Sequence, residues 1–237
     1  MVTRFCSQHS FRIIAHRRNR EPLAERLPSV VDRAALHEIE ALTNPRIQQH
    51  YAARKKVRPE DIEGGDQNEM VIASFAYSGA SRFTDGSYGI YYACLEFDTA
   101  IAESAYHTER FLSYTDTRPL YLHKRVLTAQ LNGTYDDLRA LSPAEPVYDP
   151  DPQRYAAAQA YARGVYASNE CDGITYNSVR ATGGTCVAVF RPRLISGCET
   201  AGFLLYAYDG RHINDMFRVG SLDDLRHAMT QPMQETR

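Results

Sequence analysis

Tryptophan is absent from this chain of 237 residues. Other absences narrow its class further. No charge of one sign dominates: 27 Lys and Arg stand against 29 Asp and Glu, a formal charge of -2. Binding to nucleic acid or to an anionic membrane draws its affinity from many displaced counterions, so bulk charge names no polyanionic partner. Apolar runs such as Gly202-Phe203-Leu204-Leu205-Tyr206 fall far short of the roughly 20 residues that cross a bilayer. After Met1-Val2-Thr3-Arg4-Phe5-Cys6 the chain turns polar and basic, without the apolar segment and small-residue cleavage site of a secretory signal. A cytoplasmic location is therefore expected.

Cysteines are few and unpaired in pattern. Cys6, Cys94, Cys171, Cys186 and Cys198 are odd in number, widely spread and free of any C-x-x-C motif, which excludes a disulfide framework and favours reduced thiols. Cys6 with His9 has half of a zinc-ligand spacing, but no second half follows, so the pair reads as surface or packing residues. What is present is enough for a packed core. Hydrophobic residues make up 43% of the chain, charged residues 24%, and there are 16 Tyr and 9 Phe. That mixture is too apolar and aromatic for a disordered polymer, and the length suits one domain.

The organisation follows from periodicity and breakers, with no internal repeat. The first 66 or so residues read as a short strand over Phe11-Arg12-Ile13-Ile14 followed by loop and helix. Arg17-Arg18-Asn19-Arg20 reads as a solvated basic run. Asp32 caps a helix on which Ala35, Leu36, Ile39 and Leu42 recur, and Asn44 with Pro45 opens a second that faces Ile47 and Tyr51 inward. A polar loop from Arg58 to Gly65 precedes a core of about 67–220, and a polar tail follows Ser221. Within the core, strands are expected over Met70 to Tyr77, Tyr88 to Leu95, Pro119 to Leu127, Gly173 to Tyr176, Thr185 to Phe190 and Gly202 to Tyr208. Asp98 is expected to cap a helix over Thr99 to Leu112, and Asp151-Pro152 to start one through Tyr155, Ala158, Ala162 and Val165. Asp209-Gly210 reads as a two-residue hairpin turn. Strands interleaved with helices give an α/β or α+β texture.

The chemistry concentrates in Ser81-Arg82-Phe83-Thr84-Asp85-Gly86-Ser87-Tyr88-Gly89-Ile90-Tyr91-Tyr92-Ala93-Cys94 and the helix that follows it. Arg82 lies in a loop rich in Gly and Ser, from which a guanidinium is expected to reach outward and offer its planar fork to a phosphate pair. By the two-residue period, Ile90, Tyr92 and Cys94 share one face of the strand, and Tyr91, Ala93 and Leu95 the other. Tyr92 then overlooks a cleft. Glu103 falls in the first turn or so of the next helix. Arginine, aromatic face and carboxylate together suit a substrate with an anionic middle, a flat ring and a ribose. Breaking an N-glycosidic bond builds positive charge on the sugar, which a fixed carboxylate stabilises. Taken singly, each residue also has an ordinary reading as surface charge, packing or solvated helix face.

The segments S-R-F-T-D-G-S-Y-G-I-Y-Y-A-C-L-E-F-D-T-A-I-A-E and D-G-I-T-Y-N-S-V-R-A-T-G-G-T-C-V-A-V-F resemble the RES domain, named for its Arg, Glu and Ser. Phe11-Arg12-Ile13-Ile14 also resembles the family's opening. The resemblance implies an α+β fold like that of the ADP-ribosyltransferases, with mixed sheets, flanking helices and an added helical N-terminal portion. It further implies the toxin of a bacterial type II toxin-antitoxin pair, partnered by a helix-turn-helix antitoxin of Xre type and consuming NAD. Direct contact with DNA would then belong to the antitoxin; self-association into a homo-oligomer stays open. By resemblance, the family's arginine matches Arg82, its tyrosine Tyr92, its glutamate Glu103 and its serine Ser178. Arg82 would grip the pyrophosphate, Tyr92 would pack on the nicotinamide or its ribose, Glu103 would steady the ribose, and Ser178 would hydrogen-bond the substrate or serve as a turn residue. Arg12 reads as a second phosphate ligand or a strand-end charge. His107 reads as a site residue or a helix-face partner of Glu103, and Arg180 as a weaker addition to the anion pocket. NAD is the substrate, and no metal is needed because nicotinamide leaves from a cationic pyridinium. The products expected are those of hydrolysis, phosphorolysis or transfer of ADP-ribose to a protein; a noncatalytic partner-binding module is the contrasting class. Where many shorter members carry Gly-Arg-Trp, this chain has Ser81-Arg82-Phe83.

Overall fold

A computed structural model describes residues 1–16, 69–77, 79–115 and 118–219. The helices expected from Asp32 and from Asn44-Pro45, the basic run, the loop from Arg58 and the polar tail lie outside the described residues. Along the chain run β1 (Val2–Ala15), α1 (Glu69–Ala76), β2 (Tyr91–Cys94), α2 (Phe97–Leu112), β3 (Leu120–Asp137), α3 (Ala156–Ser168), β4 (Gly173–Asn177), β5 (Thr185–Val189), β6 (Ile195–Tyr208) and β7 (Ile213–Val219). The class is α+β, with one mixed seven-stranded sheet and three α-helices among the described residues.

Strand order is β1-β2-β5-β4-β3-β6-β7, and β1 also pairs with β3. Five strands therefore close a ring, β3-β1-β2-β5-β4, from which β6 and β7 extend. All pairings are antiparallel except β3 with β4. β3 holds the ring together: one edge pairs with β1 from Val2↔Asp136 to Ala15↔Lys124, and the other pairs with β6 and then β4.

The period-two reading of β2 matches the packing. Tyr91, Ala93 and Leu95 join one core with Val71, Phe75, Leu127, Leu131, Val187 and Val189. Ile90, Tyr92 and Cys94 join another with Phe83, Ile174, Tyr176, Ala188 and Phe190. The strands expected at Gly173 and Thr185 form as β4 and β5, while β3 and β6 are longer than expected, because the second half of β3 and the first half of β6 gain their partners from residues distant in sequence. The expected strand from Met70 is instead α1. Val71, Ile72, Phe75 and Ala76 are its buried residues, spaced as one helical face, whereas an apolar run this short does not by itself distinguish the two periods.

Helix starts also shift. α2 begins at Phe97, not Thr99, and its N-cap position is Glu96. The Glu96 carboxylate accepts from Thr99 Oγ1 at 3.0 Å and from the Thr185 backbone N–H at 2.8 Å, which ties the start of α2 to β5. A Cβ on the adjacent Gly184 would stand 2.2 Å from Thr99 Oγ1, so only glycine allows this approach. Asp151 does not open α3 directly: it accepts from Gln153 N–H at 2.9 Å and caps a short 3-10 turn, Pro152–Arg154, after which α3 begins at Ala156 with Tyr155 at its N-cap position. The β6-β7 connection is longer than the expected two-residue turn. Asp209 Oδ1 accepts from both Arg211 and His212 N–H at 2.7 Å, and these two bonds fix a wider loop.

At the far end of β3, Asp137 clasps the chain start. Its carboxylate accepts from Thr3 Oγ1 at 2.5 Å and from Arg139 Nη2 at 2.6 Å. The hydrogen bonds from Arg139, reinforced by Thr3, hold this carboxyl well below the usual carboxylate range. A depressed folded-state value means that the unfolded chain binds the proton first as pH falls. The clasp's contribution is therefore complete above about pH 4, the unfolded value, and is lost progressively on acidification. The difference in urea midpoint between the native chain and Asp137→Asn is expected to shrink from pH 7 to pH 3; a difference that does not vary with pH would contradict this.

Candidate active site

The loop between α1 and β2 is built before it carries any function. Ser81 and Thr84 pair across a tight turn, with Ser81 N–H donating to Thr84 O at 2.8 Å, and Thr84 Oγ1 donates to Tyr88 O at 2.8 Å. Phe83 is fully buried edge-on to Tyr176. Two outside groups clamp the turn. The Tyr92 hydroxyl bonds Ser81 Oγ at 2.8 Å and accepts from Phe83 N–H at 3.1 Å; Gln159 on α3 donates to Ser81 O at 2.9 Å and Thr84 O at 3.2 Å. Burial raises the Tyr92 phenol to about 12, against the lowering effect of the bonds to Ser81 and Phe83 and of the Arg82 charge, so it stays neutral at physiological pH.

Arg82 does not reach outward, which corrects the sequence reading. It is 7% exposed. Nη1 donates to Val147 O at 2.9 Å and Asp149 O at 3.0 Å, Nη2 lies 3.3 Å from the Tyr155 hydroxyl, and the guanidinium stacks 4.5 Å from the Tyr155 ring centroid. The turn-rich segment after β3 supplies these inward acceptors, so the fork is used to fasten that segment to the loop. Its charge still forms part of the cleft wall.

Glu103 lies in the second turn of α2. Ser178 Oγ donates to Glu103 Oε1 at 2.6 Å, and Cys186 Sγ lies 3.7 Å from the same oxygen. His107 Nε2 is 3.7 Å from Oε2, the helix-face pair that the spacing allowed. Ser178 Oγ also accepts from Arg180 and Ala181 N–H, both at 3.0 Å. Its hydroxyl thus does two things at once: it closes its own turn and holds the carboxylate. The His107 imidazolium is disfavoured first by desolvation and then by Arg180, Arg110 and Arg82, while Glu103 opposes the shift.

Arg12 lies within β1 and not at a strand end. Nη1 donates to the Tyr92 carbonyl at 2.7 Å, and the guanidinium sits 4.7 Å from the Tyr91 ring centroid. Burial lowers its pKa. Arg180 donates to Pro150 O at 2.5 Å and packs 3.4 Å from the Tyr106 ring centroid.

Arg12, Arg82, Tyr92, Glu103, His107 and Arg180 line one cleft of about 860 Å³, within the size range of small-molecule sites. Ser178 stands behind Glu103 and is not part of the wall. The sequence reading missed Lys124 and Arg110 in the same wall, together with the clamps Tyr155 and Gln159. The Lys124 signal was legible as an alternation of Leu122, Lys124 and Val126, which puts a cation on an apolar face. Five basic side chains, Arg12, Arg82, Arg110, Lys124 and Arg180, and one carboxylate, Glu103, belong to the lining. The arrangement can bind an anion and stabilise a neighbouring positive centre. Among the described residues there is no group of three or more His, Cys, Asp or Glu placed to hold a metal, and no helix long and apolar enough to cross a membrane.

The role of the Tyr92 hydroxyl is testable. Tyr92→Phe leaves the buried Phe83 N–H without its acceptor, a loss of about 1–3 kcal/mol. A lowered denaturation midpoint with unchanged secondary structure is the expected result; an unchanged midpoint would mean that the clamp is not holding the loop.

The model of the family described as RES domain matches residues 58–206. An uncharacterized protein, y4oC, of Sinorhizobium fredii (strain NBRC 101917 / NGR234) is 25% identical over 185 residues, covering 77% of this chain and 75% of that protein.

Proposed function

Since the chain belongs to the RES domain family, we propose that it is an enzyme that cleaves the nicotinamide-ribose bond of NAD and acts as the toxin of a toxin-antitoxin pair. The observation that carries this reading is Glu103, a carboxylate fixed by Ser178 at 2.6 Å in a cleft whose lining also includes five Arg and Lys side chains and the Tyr92 ring. The basic wall attracts the pyrophosphate. Arg12 and Arg180 border the space where it would sit, and the buried Arg82 adds charge from behind the loop. The Tyr92 ring gives a flat, uncharged face. As nicotinamide departs with the bonding electron pair, the ribose becomes an oxocarbenium-like cation, and a carboxylate already held in place stabilises it without reorganisation.

Ser178 acts through Glu103 as a positioning residue. The fold proposed with this chemistry is that of the ADP-ribosyltransferases, and no metal is required because the leaving group is a pyridinium. The nucleophile that completes the reaction is water, inorganic phosphate or a protein side chain. A helix-turn-helix antitoxin that covers the cleft would silence the enzyme in the cytoplasm.

Purified protein incubated with NAD, with and without phosphate and a cell extract, tests this reading. Free nicotinamide should appear, accompanied by ADP-ribose for hydrolysis, a phosphorylated ADP-ribose for phosphorolysis or labelled protein for transfer. The absence of nicotinamide in every arm would overturn it.

A further inference from the structure

Lys124 is one of two cations of the cleft, with Arg110, that the proposed chemistry does not use. It projects from the middle of β3, where it pairs with Ala15 of β1 and Leu204 of β6, and is 8% exposed. Its ammonium donates to Thr108 Oγ1 at 2.6 Å and lies 5.5 Å from the Tyr206 ring centroid. Thr108 Oγ1 in turn donates to Ser104 O at 2.6 Å, so its own hydrogen is spent on the helix. Val126, Leu204, Tyr206, Leu122, Ile13 and Ile101 make the surroundings apolar.

Such a placement is costly. A lysine ammonium carries three donors, and burying its charge without a counter-ion is unfavourable because the lost hydration is not replaced. Among the described residues no Asp or Glu pairs with it. The charged and titratable groups on the walls around it are Glu103, His107 and Arg110 on α2, Arg12 on β1 and Tyr206 on β6. Glu103 is bound elsewhere, to Ser178 and His107. Desolvation lowers the Lys124 pKa to about 8, which leaves the amine mostly protonated at neutral pH and sensitive to any anion that approaches.

Lys124 is also set apart from Glu103. Along α2, Glu103 precedes Thr108, the hydrogen-bond partner of Lys124, by five residues, roughly 7.5 Å of axial rise, and Thr108, Arg110, Phe111, Leu112 and Leu122 line the same cleft. We infer that Lys124, with Thr108 beside it, is a second oxyanion-binding point in the cleft, which takes a small free phosphate or carboxylate and not the pyrophosphate held near Arg12 and Arg180. That this oxyanion is the acceptor of the ribosyl group rests on the cleavage reaction proposed above; the binding itself does not.

The test uses the full chain and two probes in the absence of NAD. Inorganic phosphate and acetate are titrated separately and followed by phosphorus and carbon NMR line broadening. The native protein should bind one or both saturably; phosphate alone would identify a phosphate source, and acetate alone a carboxylate. Lys124→Met, which fills the same space without charge, should weaken that binding at least tenfold with an unchanged or raised denaturation midpoint. Lys124→Arg should restore most of it. Equal binding by Lys124→Met and the native chain, or no binding of either probe by the native chain, would overturn the inference. Nicotinamide release is measured in parallel on the native chain. Lys124-dependent anion binding without any release would sink the cleavage reading alone, whereas release with anion binding indifferent to Lys124 would sink this one alone.

Discussion

Glu103→Gln is expected to slow nicotinamide release from NAD by about 10²–10³-fold, the usual effect of deleting one preorganised electrostatic contact to a developing charge. The substitution is close to isosteric. The amide oxygen still accepts from Ser178 Oγ, now 2.6 Å from Oε1, and the turn closed by Ser178 through Arg180 and Ala181 is untouched. Stability should therefore hold while turnover collapses. The loss should fall on kcat more than on KM, because the carboxylate contributes most when the ribose carries positive charge. A Glu103→Gln protein that releases nicotinamide at the native rate would remove the carboxylate from the mechanism. Ser178→Ala supplies the graded comparison: Glu103 keeps its charge but loses its shortest hydrogen bond, and a smaller loss is expected.

The second large effect is on folding. Arg82→Met removes two hydrogen bonds to the carbonyls of Val147 and Asp149, one to Tyr155 and the stacking on its ring. The side chain is 7% exposed, so water does not readily replace these partners. A loss of about 3–5 kcal/mol is expected, by analogy with removing one member of a buried polar network. Denaturant titration should show this as a lower midpoint at similar slope. Arg82→Lys should fare little better, because an ammonium does not reproduce the planar fork that serves two carbonyls at once. Activity of either variant has to be read per folded molecule. A midpoint within about 0.5 kcal/mol of the native chain, a surface-like value, would show that the guanidinium is not a structural fastener.

Those two residues illustrate what sequence makes visible. Glu103, Tyr92 and their approach to Arg82 follow from a strand of period two running into a helix, because strand and helix fix side-chain direction locally. The opposing faces of β2 are legible for the same reason. The direction of Arg82 is not, because its acceptors lie more than sixty residues later, in a turn segment whose carbonyls carry no side-chain signature. α1 was hidden by composition: an uninterrupted apolar run buries equally well as strand or helix, and here packing against the core of β2 and β5 decides. Lys124 stands in a legible alternation with Leu122 and Val126, but lysine in a strand ordinarily lies at an edge or in water, and it is the pairing of β3 on both sides that places it inside. The long reach of β1 was legible in part, from Phe11 to Ile14, while its first half gains its partners only through β3.

The closure of the ring by β1 bears on how the protein can be divided. The stretch matched by the family model, 58–206, contains Arg82, Tyr92, Glu103 and Ser178 yet begins after β1 and stops before β7. Expressed alone, that fragment would present the flank of β3 from Lys124 to Asp136 as a bare row of amides and carbonyls, inviting aggregation through edge pairing. It would also lose Arg12 and the bond to the Tyr92 carbonyl at 2.7 Å. Shortening the gene to its recognisable centre would thus dismantle the vessel around Arg82, Tyr92, Glu103 and Ser178 while leaving all four in the sequence.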